Sequence, residues 1–343
     1  MACSENDDIS QFAIKREHHR LVQIIRNVHE HLRYAYKQGH DADDVWKAHC
    51  SNLSERQEYA QAMQKLATTM WARNNTRIEW CLEACSRSYF SGGGLEYWIK
   101  KDAKDKKTPS FSTSCDTFNF TVVPPLKENI LLLDVGSCYN PFRCFKEIVP
   151  IAIDLTPATP DVYTCDFLKV SVVTQEDSRW WQNQLISTEE VKELPGNTFH
   201  VVILSLVLEY LPAPHQRWTF CTKAYQLLQY NGLLLIITPD SKHQNKNALM
   251  IKNWKRALAT LGFQRILYEK QTHLHCMGFR KVEGPVILKG LPPVDDPAQL
   301  LYIPQDLHNY NILNAGEKNI AVERKEDEDN EISASFLELP FEA

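Results

Sequence analysis

Four short apolar runs end in residues that could do chemistry. "ILLLDVG" closes on Asp134 and Gly136, "IAIDL" on Asp154, "YTCDF" on Asp166 and Phe167, and "VVILSL" on Ser205. A carboxylate at a strand end, roughly 20 residues past a glycine turn, can accept both hydroxyls of a ribose. Asp166 suits the exocyclic amine of an adenine, and Phe167 suits the face of its ring. At Gly136 the missing Cβ lets backbone close on a ligand. Ser205 stands where an amino-acid portion of such a ligand would lie. Taken singly, a strand-end acid is an ordinary helix cap and a lone glycine an ordinary turn. On successive strands of one sheet, at the edge where α/β proteins bind ligands, they point together to an adenosyl cofactor.

The loop selects among such cofactors. Dinucleotide folds use G-x-G-x-x-G, and "GSCYNP" supplies only the first glycine. A phosphate-binding G-x-x-x-x-G-K is absent. A pyrophosphate needs several backbone N–H groups at close range. S-adenosylmethionine carries no phosphate, so its loop tolerates Ser137, Cys138 and Asn140. The expected ligand is S-adenosylmethionine rather than NAD.

These residues need a sheet to hold them. Strands are read at 130–135, 151–155, 162–165, 200–204, 233–238, 265–269 and 273–279, with helices near 216–229 and 246–261. Runs such as "LLLIIT" are apolar throughout, which fits a sheet covered on both faces. Alternation of strand and helix gives a doubly wound α/β fold with a mostly parallel sheet. "KQT" is too short a connection for anything but an antiparallel last pair. Before the sheet, residues 10–38 form an amphipathic helix through Leu21, Ile24, Ile25, Val28 and Leu32, ended at Gly39. "SERQ", from Ser54 to Gln57, has capping-box spacing and opens one long helical stretch to Tyr89. The division expected is an N-terminal helical domain over 1–99, a charged linker over 100–115, the cofactor-binding domain over 116–282, and an acidic, largely disordered tail over 283–343.

Composition narrows the class. The chain has 343 residues and a net charge of −5. Residues 283–343 hold 4 basic and 13 acidic residues, or −9, which leaves +4 for the rest. No window is apolar enough for a membrane span. The polar, acidic start "MACSENDDIS" reads as neither signal nor transit peptide, so the expectation is an intracellular protein. Ten scattered cysteines without a CxxC pair are read as reduced thiols, and no metal site is expected. The terminal "SASFLELPFEA" is either a docking segment or an unstructured end.

The stretches "RIEWC", "LLLDVGSCYNPF", "CDFL", "FHVVILSLVLEYLP", "QRWTFC" and "NGLLLIITPDSKHQNKN" together resemble the Samtor family. These are S-adenosylmethionine sensors upstream of the TOR kinase complex, related to a fungal ribosomal-RNA adenine methyltransferase. The likeness spans most of residues 10–282. It implies a Rossmann-like class I methyltransferase fold, seven-stranded with the last strand antiparallel, behind an N-terminal helical domain. It implies S-adenosylmethionine, with S-adenosylhomocysteine as a second ligand, at Asp134, Gly136, Asp154, Asp166, Phe167 and Ser205. Arg77 of "RIEWC" either reaches the ligand's carboxylate or is an ordinary helix-surface arginine. The implied partners are the GATOR and KICSTOR assemblies, released when cofactor binds, so that signalling is restrained when cofactor is low. The implied location is the cytoplasm, with recruitment to the lysosomal surface left open.

Sensor and enzyme are not separated by the residues themselves. "SLVLEYLP" lacks the paired prolines that hold a target amine in many adenine methyltransferases. Glu209 is the one nearby acid, either a base for the enzyme reading or, as favoured, a cap or a solvent-facing group. Tyr210 is read as a core or rim aromatic. Lys242, His243, Lys246, Lys252, Lys255 and Arg256 are either a solvated helix face or, for a ribosomal-RNA methyltransferase, the contacts to RNA phosphates. His273 and His275 are read as packing. A cofactor-binding sensor with weak or no methyl transfer is the favoured reading, a methyltransferase the alternative, and a helical scaffold with a vestigial pocket the third.

Overall fold

The computed structural model of the chain describes residues 2–71, 76–90, 93–105, 121–173, 185, 189–240, 244–304 and 306. Its centre is a seven-stranded sheet of order β3-β2-β1-β6-β7-β9-β8. The strands are β1 (Ile130–Val135), β2 (Ile148–Asp154), β3 (Tyr163–Thr164), β6 (Phe199–Ser205), β7 (Leu228–Pro239), β8 (Phe263–Lys270) and β9 (Leu274–Lys281). β9 runs antiparallel to both β7 and β8, and the other pairings are parallel. This is the Rossmann-like class I methyltransferase arrangement expected from the sequence. A two-stranded sheet of β4 (Ser171–Val173) and β5 (Glu193–Pro195), not foreseen, stands beside it.

Alternate strand residues feed two cores. Leu133, Val135, Val202, Leu204, Leu234 and Ile236 pack on α6 (Pro214–Leu227) and α7 (Gln244–Leu261). Ile130, Leu132, Val201, Ile203, Leu233 and Leu235 face the other way, onto α4 (Thr76–Tyr89) and the start of α5 (Gly94–Asp105). The remaining helices, α1 (Ala2–Lys37), α2 (Ala42–Ser51) and α3 (Leu53–Lys65), form a second layer in which Leu21, Val22 and Ile25 pack on Ala62 and Leu66.

Several expectations need correction. The stretch read as one helix from Ser54 to Tyr89 is two helices, with a π-turn over Leu66–Met70 after the first. The apolar face of α3 packs on α1, while that of α4 packs on the sheet. The cap is Asn52, whose Oδ1 accepts from the Glu55 backbone N–H at 3.3 Å, and not Ser54. α5 crosses the boundary expected at residue 99 and enters the segment read as a linker. It is anchored there because Arg280, fully buried, donates to Asp102 and to Gln264. The acidic tail also begins inside the fold: Leu301, Tyr302 and Ile303 are buried against α6 and α7. The fully buried Arg217 holds that segment through the Leu301 carbonyl and Asp306. Residues 106–120 and 307–343, with the terminal apolar island, lie outside the described residues.

Ile303 is 0% exposed, so Ile303→Ala is expected to cost about 2–4 kcal/mol. Urea unfolding of the full chain checks this, since a loose tail would make the substitution neutral.

Candidate functional site

Strand register lines up the residues singled out in the sequence. Val135 pairs with Ile153 on one side and with Leu204 on the other. The next residue on each strand is therefore level with the others: Gly136, Asp154 and Ser205 stand abreast at the carboxyl edge. They line a cleft of about 1130 Å³ of empty space, open solvent included. Arg77, Asp134 and Phe167 share the lining.

The loop after β1 spends its N–H groups within the protein. Gly136 and Ser137 both donate to the Ile153 carbonyl, at 2.9 and 3.1 Å. Cys138 donates to Asp154 Oδ2 at 3.0 Å, Tyr139 to the Ser137 carbonyl at 2.6 Å, and Asn140 to Ser137 Oγ at 3.2 Å. None of the five is left for a pyrophosphate, which agrees with the missing glycines. Gly136 has φ +75°, and a Cβ there would stand 2.7 Å from Val207 Cγ2. The glycine thus makes room for the loop after β6 as well as for a ligand.

Burial governs the charges. Asp134 is 4% exposed, and burial raises its carboxyl to about 6, against the opposing pull of the Ser137 hydrogen bond and of Arg77. Burial likewise raises Asp154 to about 6, although Thr156 and Cys138 donate backbone N–H groups to it. Two carboxylates held this way favour a cationic ligand group beside them. Arg77 brings the opposite charge. From α4 it donates to Ser205 Oγ at 3.1 Å and to the Tyr139 hydroxyl at 3.4 Å. It is half-buried and lies on the lining, not on the helix surface.

Asp166 departs from its expected place. Its carboxylate accepts from the Trp46 indole N–H at 3.2 Å, from the Leu168 N–H at 3.1 Å and from Lys169 at 2.9 Å. Neighbouring Cys165 and Phe167 line the cleft and Asp166 does not. A strand-end side chain can leave on either side, and here α2 supplies the donor that draws it away. Glu209, read as a cap or solvent-facing, is 4% exposed, donates nothing to the cleft lining and pairs with the Thr238 hydroxyl. Burial raises its carboxyl above the usual range. His275, read as packing, is buried on Asp240 at 3.0 Å. Lys242 and His243 lie outside the described residues, as does the side chain of Lys246.

The residues that the sequence did not reveal are those of the opposite wall. Trp46, Arg56, Tyr59, Ala60, Met63 and Trp71 close the cleft from α2, α3 and the π-turn. Arg56 ties that wall to the sheet through the Leu155 carbonyl at 3.2 Å and Thr156 Oγ at 2.5 Å. Tyr210, after β6, meets the His49 ring at 2.5 Å and stacks edge-on against Trp46. Tyr59 and Met63 belonged to an apolar helical line lacking a visible partner, and that was the one signal available.

A model of the Bmt2 family, described as 25S rRNA (adenine(2142)-N(1))-methyltransferase, matches residues 95–290. The chain is 39% identical over 351 residues to a Xenopus laevis protein named S-adenosylmethionine sensor upstream of mTORC1, covering 95% of this chain and 84% of that one. A Danio rerio protein of the same name is 38% identical over 349 residues, covering 95% and 86%. The chain belongs to this family. The resemblance read from its motifs is borne out, and Bmt2 is the related methyltransferase family. Among solved structures, PigF with SAH covers 77% of this chain and 68% of its own at 13% identity and a TM-score of 0.35. The N-methyltransferase NodS from Bradyrhizobium japonicum, in complex with S-adenosyl-L-homocysteine, covers 46% and 80% at 14% identity and a TM-score of 0.27. Likenesses of that size carry no argument about the site of this sensor-family member.

The raised carboxyl of Asp134 has a measurable consequence. The folded state holds its proton up to about pH 6, so its contribution to stability is present below about pH 4 and lost as pH rises between the two. Asp134→Asn is therefore expected to stabilise the ligand-free chain by about 1–3 kcal/mol near pH 7, the gain vanishing below about pH 4. Denaturant melts of both proteins across that range test it.

Proposed function

We propose that this chain binds S-adenosylmethionine in the cleft and reports its level to the mTORC1 pathway. Asp154 faces the ribose, Phe167 and Gly136 flank the adenosine, Asp134 offsets the positive charge of the ligand, and Arg77 with Ser205 takes its carboxylate. The cofactor would supply a methyl group to an enzyme. In this reading it serves as the signal. The observation that carries it is the shared lining: helices α2 to α4 form one wall and the strand ends the other. A ligand held by both walls favours their closed arrangement, and a coupling of about 1–3 kcal/mol would change partner affinity roughly 5- to 150-fold. The partners are GATOR and KICSTOR, bound when the cleft is empty and released when it fills, with recruitment to the lysosomal surface through them. Among the described residues no helix is long and apolar enough to cross a membrane. The helical unit, the sheet unit and the tail act as three parts in this reading. S-adenosylhomocysteine fits the same cleft without the sulfonium charge.

Methyl transfer to ribosomal RNA is the second reading, favoured by the Bmt2 match across the sheet. Against it stands Glu209, the acid after β6 considered as a base, whose carboxyl is buried on Thr238 away from the lining.

Titration calorimetry of the full chain is expected to give one S-adenosylmethionine site, weakened about 10-fold or more by Arg77→Ala. Affinity is expected to rise between about pH 5 and 7, because the ligand favours the ionised forms of Asp134 and Asp154. GATOR and KICSTOR capture is expected to fall on adding ligand to the parent and to persist in the variant. No heat with the ligand defeats the reading, and methyl label appearing in ribosomal RNA defeats the sensor in favour of the enzyme.

A further inference from the structure

A second cavity, of about 940 Å³ with open solvent included, lies between α7, β8 and the segment 288–291. It shares no residue with the cleft at the strand ends. Its charged lining is of one sign: Lys252, Lys255, Arg256, Arg265 and Lys289. No carboxylate lines it, and among the described residues none of the five takes part in an ion pair. Several cations elsewhere are matched to carboxylates: Arg217 with Asp306, Arg280 with Asp102, Lys270 with Asp240, Arg143 with Asp161.

Five like charges around one concavity repel each other unless a counter-charge enters. Water relieves this on a flat helix face, but less so here. Arg256 Nε is buried without a hydrogen-bond partner, while its Nη2 donates to the Pro292 carbonyl at 3.5 Å. Arg265 is half-buried, and burial holds its guanidinium below its ordinary value. It lies 5.3 Å from the Tyr268 ring, whose other stacking partner is His275. The floor is Ala248, Ile251, Leu288 and Leu291. What remains is a basin lined by two arginines and three lysines. Guanidinium forks match phosphate oxygens two at a time, and lysines add charge without demanding direction.

The geometry points to a binding site for a small, multiply phosphorylated anion in this basin. A nucleic-acid backbone asks for an elongated basic track, whereas these cations line one hollow built from three separate pieces of chain. The segment carrying Lys289 contributes to the rim, so an occupant ties residues 288–291 to α7 and β8. This site would give the chain a second input, read by different residues from those at the strand ends.

The test uses sodium tripolyphosphate as the probe. Calorimetry of the full chain in phosphate-free buffer is expected to show one site per chain that weakens steeply as salt rises. Lys252→Glu combined with Lys255→Glu on α7 should weaken it about ten-fold or more, with the thermal midpoint and the S-adenosylmethionine titration those of the parent. Lys289→Glu, outside helix and sheet, should weaken it as well, so a folding defect in the helix variant would not decide the matter. A second arm sediments the chain with phosphatidylcholine vesicles carrying phosphatidylinositol bisphosphate. Capture that exceeds binding of the free probe, and that both variants lose, supports the site and assigns its phosphates to a lipid headgroup. The proposal is overturned if neither probe binds at one per chain, if both variants bind as the parent does, or if only ribosomal RNA is captured.

Discussion

The carboxylate of Asp154 accepts the Cys138 N–H with one oxygen and the Thr156 N–H with the other, and so joins the turns that follow β1 and β2. The Ile153 carbonyl takes two further N–H groups from the same loop. With its donors consumed in this way, the loop offers a ligand mostly carboxylate and apolar surface. Burial raises both Asp134 and Asp154, which makes ionising them costly until something positive arrives. A phosphate-rich ligand finds no free backbone donor in this loop and two acids beside it, which suits a positively charged ligand better. The choice of cofactor thus follows from where five backbone hydrogens go.

The opposite wall responds to protons with the other sign. Burial holds His29 far below the usual imidazole range and His49 at about 4, so both are neutral in the docked helices. Their contribution is present above the ordinary histidine value and is lost as pH falls from about 6.5 toward about 4. The cleft acids gain stability over much of the same interval. Acid therefore favours the empty sheet edge while it loosens the helices that cover it.

The sheet was legible in the sequence because its inner strands are apolar on both faces, and runs such as "LLLIIT" admit few other readings. The strand-end residues were legible for the same reason, since a polar group ending an apolar run has only the edge to occupy. Asp166 defeats that rule: which side a strand-end carboxylate leaves depends on Trp46, 120 residues away in the chain. Helix α5 was obscured by its lysines and aspartates, because one ion pair with the buried Arg280 does not show in a composition. Leu301–Ile303 is too short an apolar run to announce a buried segment within an acidic tail. The Tyr210 cluster with Trp46, His49 and Tyr59 draws on two helices and one turn, and no local pattern encodes such a meeting.

The burial of α4 on the sheet also bears on how the molecule is made. Ile78, Cys81, Ala84, Cys85 and Tyr89 precede every strand they pack against, and Leu233 and Leu235 emerge from the ribosome roughly 150 residues after them. The earliest large apolar face must wait, uncovered, for the middle of the sheet to be synthesised. Such long-range closure is slow and leaves nascent chains open to aggregation. A face left uncovered for that long is the cost of letting α4 serve as the sheet's own cover.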